Sequence, residues 1–180
     1  MRAPSKLWSR TAFTLLELII VFVVIAILAI LTLPAISGLR ARAQRVECMA
    51  NLRSLYAAAE LSLRQNGSWP QIGMSDSDSA EDDYAKAWIA ALQPFGVTQK
   101  SWICPTIQNL MGNPDMSDPT NLRIDYIATP FDDKPATPHQ WPQQPWFAEV
   151  GDVHGHGNLI IFTDGSINDL KTVAAKRSVK

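Results

Sequence analysis

The feature that most constrains this chain is an apolar run that begins at Phe13 and reaches Ile36, with Glu17 as its only charge. A helix rising about 1.5 Å per residue over that run is long enough to cross the roughly 30 Å hydrocarbon core of a bilayer. A carboxylate inside such a segment costs roughly 2.5–3.5 kcal/mol on insertion scales, so Glu17 needs a partner or a function. A secretory signal has a shorter apolar stretch, about 7–15 residues, with small residues at a cut that follows it. Here the small residue, Ala12, comes before the run and closes a leader carrying Arg2, Lys6 and Arg10.

A basic leader, a small residue, then Phe13-Thr14-Leu15-Leu16-Glu17 and an apolar helix resembles the prepilin signal of type IV pilins and type II secretion pseudopilins. The resemblance implies that a prepilin peptidase cuts between Ala12 and Phe13 and methylates the new amino terminus at Phe13. Most members have glycine before the cut, and Ala12 departs from that pattern while staying small. Pro34 falls where many such helices carry a proline, which removes one internal hydrogen bond and permits a kink. The resemblance also gives Glu17 a partner: the terminal amine of a neighbouring copy, two charges paired in an apolar setting. The alternative is an ordinary anchor whose Glu17 is solvated at the membrane interface.

Charge supports a structural reading over a nucleic-acid one. The chain has 16 Lys and Arg against 17 Asp and Glu, and loss of the leader makes it more acidic. No nucleic-acid partner is expected. Arg40, Arg42 and Arg45 balance the leader bases across the run, so the positive-inside rule is silent and orientation rests on the prepilin resemblance. That resemblance implies a single pass through a bacterial inner membrane, amino terminus cytoplasmic and head periplasmic. The filament would stand in the periplasm or at the surface.

Past the apolar run, Val46, Met49, Ala50, Leu52, Leu55, Tyr56, Ala59 and Leu63 recur at three- and four-residue spacing, predicting that the helix continues with one face for a head. Gly67 and Pro70 stop it. Asp78 and Glu81 have capping-box spacing before a short helix whose face is Tyr84, Ala87, Trp88, Ala91 and Leu92, ending near Pro94 and Gly96. The acidic run Asp76, Asp78, Glu81, Asp82, Asp83 is a candidate calcium site, or simply the acidic start that helices favour. Strands are expected at Leu122–Ala128 and Trp146–Val150, separated by a proline-rich loop with Trp141. The indoles of Trp141 and Trp146 either pack on the head or form a binding platform.

Asn158–Thr163 and Ser166–Leu170 flank Asp164-Gly165, predicting a hairpin with a two-residue turn. His154 with Asp164-Gly165 resembles the His-x9-Asp-Gly signature of a large bacterial branch of pilin-like proteins that share the prepilin leader; its role is not implied. Two chemical readings of this region stay open. Asp152, His154, His156 and Asp164 are a candidate metal set, or His154 hydrogen-bonds the turn at Asp164. Cys48 and Cys104 are a candidate disulfide outside the cytoplasm, or two buried thiols, with a paired metal site the less favoured alternative because there are only two such ligands. No catalytic motif is present, and no enzyme activity or resident cofactor is expected beyond a candidate calcium or other divalent ion.

The expected fold is α+β and pilin-like, a long N-terminal helix on a small head with an antiparallel β-sheet. Its parts are a leader over 1–12, a transmembrane and filament-core helix over 13–38, the exported half of that helix over 39–67, a head over 68–170 and a frayed basic tail over 171–180. The expected function is a structural subunit of a type II secretion filament. Its partners would be prepilin peptidase, other copies and related pseudopilins, an assembly platform, and lipid before assembly. A type IV pilus subunit and a membrane-tethered binding module that uses the signal only for delivery are the alternatives.

Overall fold

The computed structural model describes residues 14–73, 80–112, 122–155 and 157–178; the side chains of 32–37, 80, 177 and 178 also lie outside the description. The chain divides into two compact units, Met1–Arg40 and Ala41–Lys180.

In the first unit the apolar run is helical from Leu15, the start of α1 (Leu15–Asn66). Its large apolar side chains from Leu15 to Leu31 are all exposed, on every face of the helix. Among the described residues no helix is long and apolar enough to cross a membrane, the described apolar side chains ending at Leu31. The helical backbone runs on through Pro34, whose side chain lies outside the description.

The second unit contains the rest of α1, then α2 (Ala80–Leu92), α3 (Pro105–Met111), β1 (Tyr126–Ala128), β2 (Pro145–Glu149), β3 (Leu159–Phe162), β4 (Ile167–Asp169) and α4 (Leu170–Ser178). The strands form one antiparallel sheet in the order β1-β2-β3-β4, a meander that short connections can make. The fold is therefore α+β. In this unit α1 buries Cys48, Leu52, Leu55, Ala58, Ala59 and Leu63, positions that recur on one helical face. Val46 and Ala50, expected on that face, are exposed, and Cys48 and Ala58 take their place. The helix stops where the sequence indicates: Gly67 takes φ +73° and its N–H reaches Leu63 O at 2.9 Å.

The core is aromatic. Trp69 stands edge-on to Phe131 and Trp146, with centroids 4.9 and 5.1 Å away, and Trp88 and Trp102 meet Phe147. A β-bulge between Pro145 and Phe147 breaks the two-residue alternation of β2, so Trp146 and Phe147 are both buried. Trp146 also packs on Tyr56 of α1 and donates its indole N–H to Pro138 O at 2.8 Å. Trp141 is exposed.

Four sequence expectations are corrected. Leu122–Asp125 is not part of β1: Asp125 N–H donates to Trp102 O, so although Asp125 O still accepts Val150 N–H, the paired strand is Tyr126–Ala128. The face of α2 is Tyr84, Ala85, Trp88 and Leu92, with Ala87 and Ala91 half-buried. The β3–β4 turn has three residues, Thr163-Asp164-Gly165: Gly165 N–H donates to Phe162 O, Phe162 N–H donates to Ser166 O, and Gly165 takes φ +73°. Residues 170–178, read as part of a frayed tail from 171 on, form α4, capped by the Asp169 carboxylate, which accepts from the N–H and hydroxyl of Thr172.

Candidate functional site

Two places carry chemistry. The first is the start of α1, where Thr14 Oγ1 accepts the N–H of Glu17 at 3.2 Å and Thr14 O accepts that of Leu18. Thr14 and Glu17 thus have the spacing of a capping box, and the Glu17 carboxylate lies in the first turn, where the helix dipole favours an anion. The sequence expectation for Glu17 was an assembly contact with a neighbouring copy; the Thr14-x-x-Glu17 spacing was the signal for this second, local role. Ala12 and Phe13 lie outside the described residues.

The second place lies in the head, beneath the loop joining β2 to β3. Cys48 of α1 and Cys104, which precedes α3, form a disulfide with Cα atoms 5.2 Å apart. His154 points at it from the loop, its Nε2 3.9 Å from Cys104 Sγ and 3.2 Å from Glu149 Oε1 at the end of β2. Both side chains are shut from solvent, that of Glu149 completely and that of His154 to 4 % exposure. With the carboxylate ionised, the proton of this hydrogen bond belongs to Nε2. The other Glu149 oxygen accepts only a long bond, 3.5 Å, from Leu159 N–H.

The surrounding backbone is tied down on all sides. Asp125 accepts the Cys104 N–H at 2.8 Å and pairs with Arg123 at 2.9 Å. Burial pushes the Asp125 carboxyl above the usual carboxylate range; the Cys104 N–H and Arg123 pull it back, and the Glu149 charge adds to the rise. Tyr126 Oη donates to Cys48 O at 3.4 Å, and Asn158 Nδ2 donates to Glu149 O at 2.8 Å.

The signature residues do not meet as a metal set. The Asp164 carboxylate accepts Ser166 N–H at 2.9 Å within its own turn, so His154 does not bond it. The reason is topological: His154 precedes β3 and Asp164 follows it, at opposite ends of the strand. Asp152 accepts Gly157 N–H and pairs with Lys171, closing the loop on α4 instead of facing His154. His156 lies outside the described residues, as do Asp76 and Asp78 of the acidic run. Among the described residues one cluster brings ligand-type side chains within 4.8 Å of one another, Cys48, Cys104, Glu149 and His154, with its two sulfurs joined in the disulfide.

No family model, no characterised protein and no solved structure matches this chain. Sequence reasoning missed Glu149 and Asp125 altogether. Glu149 sits two residues after Phe147 on an otherwise apolar strand, a carboxylate at an inward position, and that was the available signal.

Proposed function

We propose that this chain is a structural filament subunit of the pseudopilin kind, cut between Ala12 and Phe13 and assembled through α1. The observation that carries the reading is a helix with exposed apolar side chains on every face from Leu15 to Leu31 and a carboxylate, Glu17, in its first turn. Such a surface is stable only against lipid or against other helices. On insertion scales, large apolar residues contribute roughly −0.3 to −0.6 kcal/mol each at the helix centre. Together they outweigh the cost of the single Glu17. The pair formed by Glu17 and a neighbour's terminal amine would then select one register among stacked helices. The head ending its helix before Trp69-Pro70, and its small size, favour a type II secretion filament over a surface pilus.

A second reading, a tethered binding module, draws on one observation. A cleft of about 630 Å³ in the head is lined by Ile107, Leu110, Met111, Ile127 and Val150, with Arg123 at its wall. Mass spectrometry of the amino terminus of membrane-derived protein tests the delivery signal common to both: an N-methylated Phe13 is expected, and an intact Met1 or a cut beyond Leu31 refutes it. Glu17→Ala then separates them. A filament subunit loses incorporation while Phe13 is still processed; a tethered binder keeps its function.

A further inference from the structure

We propose that the head is a redox-gated zinc site: with the Cys48–Cys104 disulfide reduced, one Zn²⁺ binds the two thiolates, His154 Nε2 and a Glu149 carboxylate oxygen. The inference does not depend on the filament reading.

Each donor is one that zinc takes, two thiolate sulfurs, one imidazole nitrogen and one carboxylate oxygen, and four protein ligands close a tetrahedral shell. One ligand atom from each of the four residues lies within 4.8 Å of the others. A tetrahedral centre with Zn–S about 2.3 Å and Zn–N or Zn–O about 2.0–2.2 Å needs its ligand atoms about 3.3–3.8 Å apart. The sulfurs must separate from bonding distance and the other atoms close in by about an ångström or less, which side-chain rotation supplies.

The polar pair beside the disulfide is also otherwise unexplained. A disulfide needs no carboxylate, yet Glu149 is wholly buried against it, with His154 and one long backbone contact as its hydrogen-bond partners. Burying a carboxylate is costly unless it is fully paired. The four ligands come from α1, the segment before α3, the end of β2 and the following loop, so a bound ion would staple the two segments that the disulfide joins and add the end of β2 and its loop. Hydrogen bonds from Cys104 N–H to Asp125, from Tyr126 to Cys48 O and from Asn158 to Glu149 O hold three of the four ligand backbones in place.

The chemistry balances. A dithiol reductant delivers two electrons and two protons to the disulfide, giving two thiols and becoming a disulfide itself. Zn²⁺ then displaces the two thiol protons to solvent, and the proton on His154 Nε2 leaves that atom, to Nδ1 or to solvent, freeing Nε2 to ligate.

The test uses the full chain in detergent, with Co²⁺ as the spectroscopic probe. Anaerobically reduced protein should bind one Co²⁺ per chain, with intense visible bands of a tetrahedral site and near-ultraviolet thiolate-to-cobalt bands, bleached by added Zn²⁺. The oxidised protein should show neither. His154→Ala and Glu149→Gln should each weaken binding at least tenfold. His154→Cys keeps a ligand and should bind with stronger thiolate bands, which gives a readout should the other variants fail to fold. The proposal is overturned by a reduced protein without stoichiometric tetrahedral cobalt, by His154→Ala binding as wild type does, or by His154→Cys bands that do not strengthen.

Discussion

Replacing both Cys48 and Cys104 with alanine should remove about 4 kcal/mol from the stability of the head. The bridge joins positions 56 apart in sequence. In the chain-entropy model a loop of that length withholds about 14 cal/mol/K from the unfolded chain, or about 4 kcal/mol at 25 °C. Measured against total stabilities of about 5–15 kcal/mol for whole domains, that is a large share. The assay is urea unfolding of the full chain in detergent, followed by the fluorescence of the buried tryptophans Trp69, Trp88, Trp102 and Trp146. With a slope of about 2 kcal/mol/M, the midpoint should fall by about 2 M, and the slope should rise because the unlinked unfolded chain exposes more surface. Wild-type protein reduced in the presence of a chelator controls for the two lost sulfurs and should fall by a similar amount. A shift below about 0.5 M in both samples would refute the reasoning, since the loop-closure contribution would then be absent.

Three further outcomes can be measured. Gly157→Ala should cost about 2 kcal/mol or more, because its φ of +90° is strained for alanine and the added Cβ would stand 3.1 Å from Leu170 Cβ. Gly155→Ala, at φ +78° with nothing within 4 Å, should cost about 1 kcal/mol; equal losses in urea melts would contradict the packing part of this account. Asp164 is held below the usual carboxylate range by the Ser166 hydroxyl and N–H, so its contribution is present above about pH 4 and is lost as pH falls through the lowered value. The protection of the Ser166 amide, its exchange rate taken against the intrinsic rate at each pH, should therefore fall in acid for wild type, with Asp164→Asn flattening that dependence; an unchanged profile would show that the carboxylate does not hold the turn. Thr14→Ala should fray the first turn of α1, read as faster exchange of the Glu17 amide, because it removes the hydroxyl that accepts that N–H.

Features set by neighbouring residues were readable in the chain. The helix end at Gly67 follows from a residue that tolerates positive φ and a proline three positions on, and the hairpin around Gly165 follows from two apolar runs joined by Asp-Gly. Even there, whether the turn had two residues or three depended on the pairing of Phe162 with Ser166, which local pattern does not specify. Leu122–Asp125 shows the limit from the other side. Its alternation fits a strand, but Trp102 O takes the Asp125 N–H, and only Asp125 O, which accepts Val150 N–H, still reaches the neighbouring chain.

Of the candidate site, Cys48, Cys104 and His154 stood out in the sequence, but Glu149 and the meeting of all four did not. His154 was visible as part of a spacing, and that spacing directed attention to Asp164, which shares sequence proximity with it but stands at the far end of β3. Glu149, five residues earlier, meets His154 because the loop after β2 folds back through Gly151, at positive φ.

By itself the sequence determined what one helix and one hairpin need: periodic apolar faces, residues that stop a helix, and a long apolar segment whose lone carboxylate, Glu17, stands three residues after a capping threonine. Those are properties of the chain over one or two turns, where backbone geometry alone dictates which side chains share a face. Only the tertiary structure decided that Cys48 meets Cys104 and that Glu149 and His154 close around them. Four segments far apart along the chain converge there because burying the aromatic core fixes where α1, the segment before α3, and the end of β2 lie. No spacing of residues encodes that convergence.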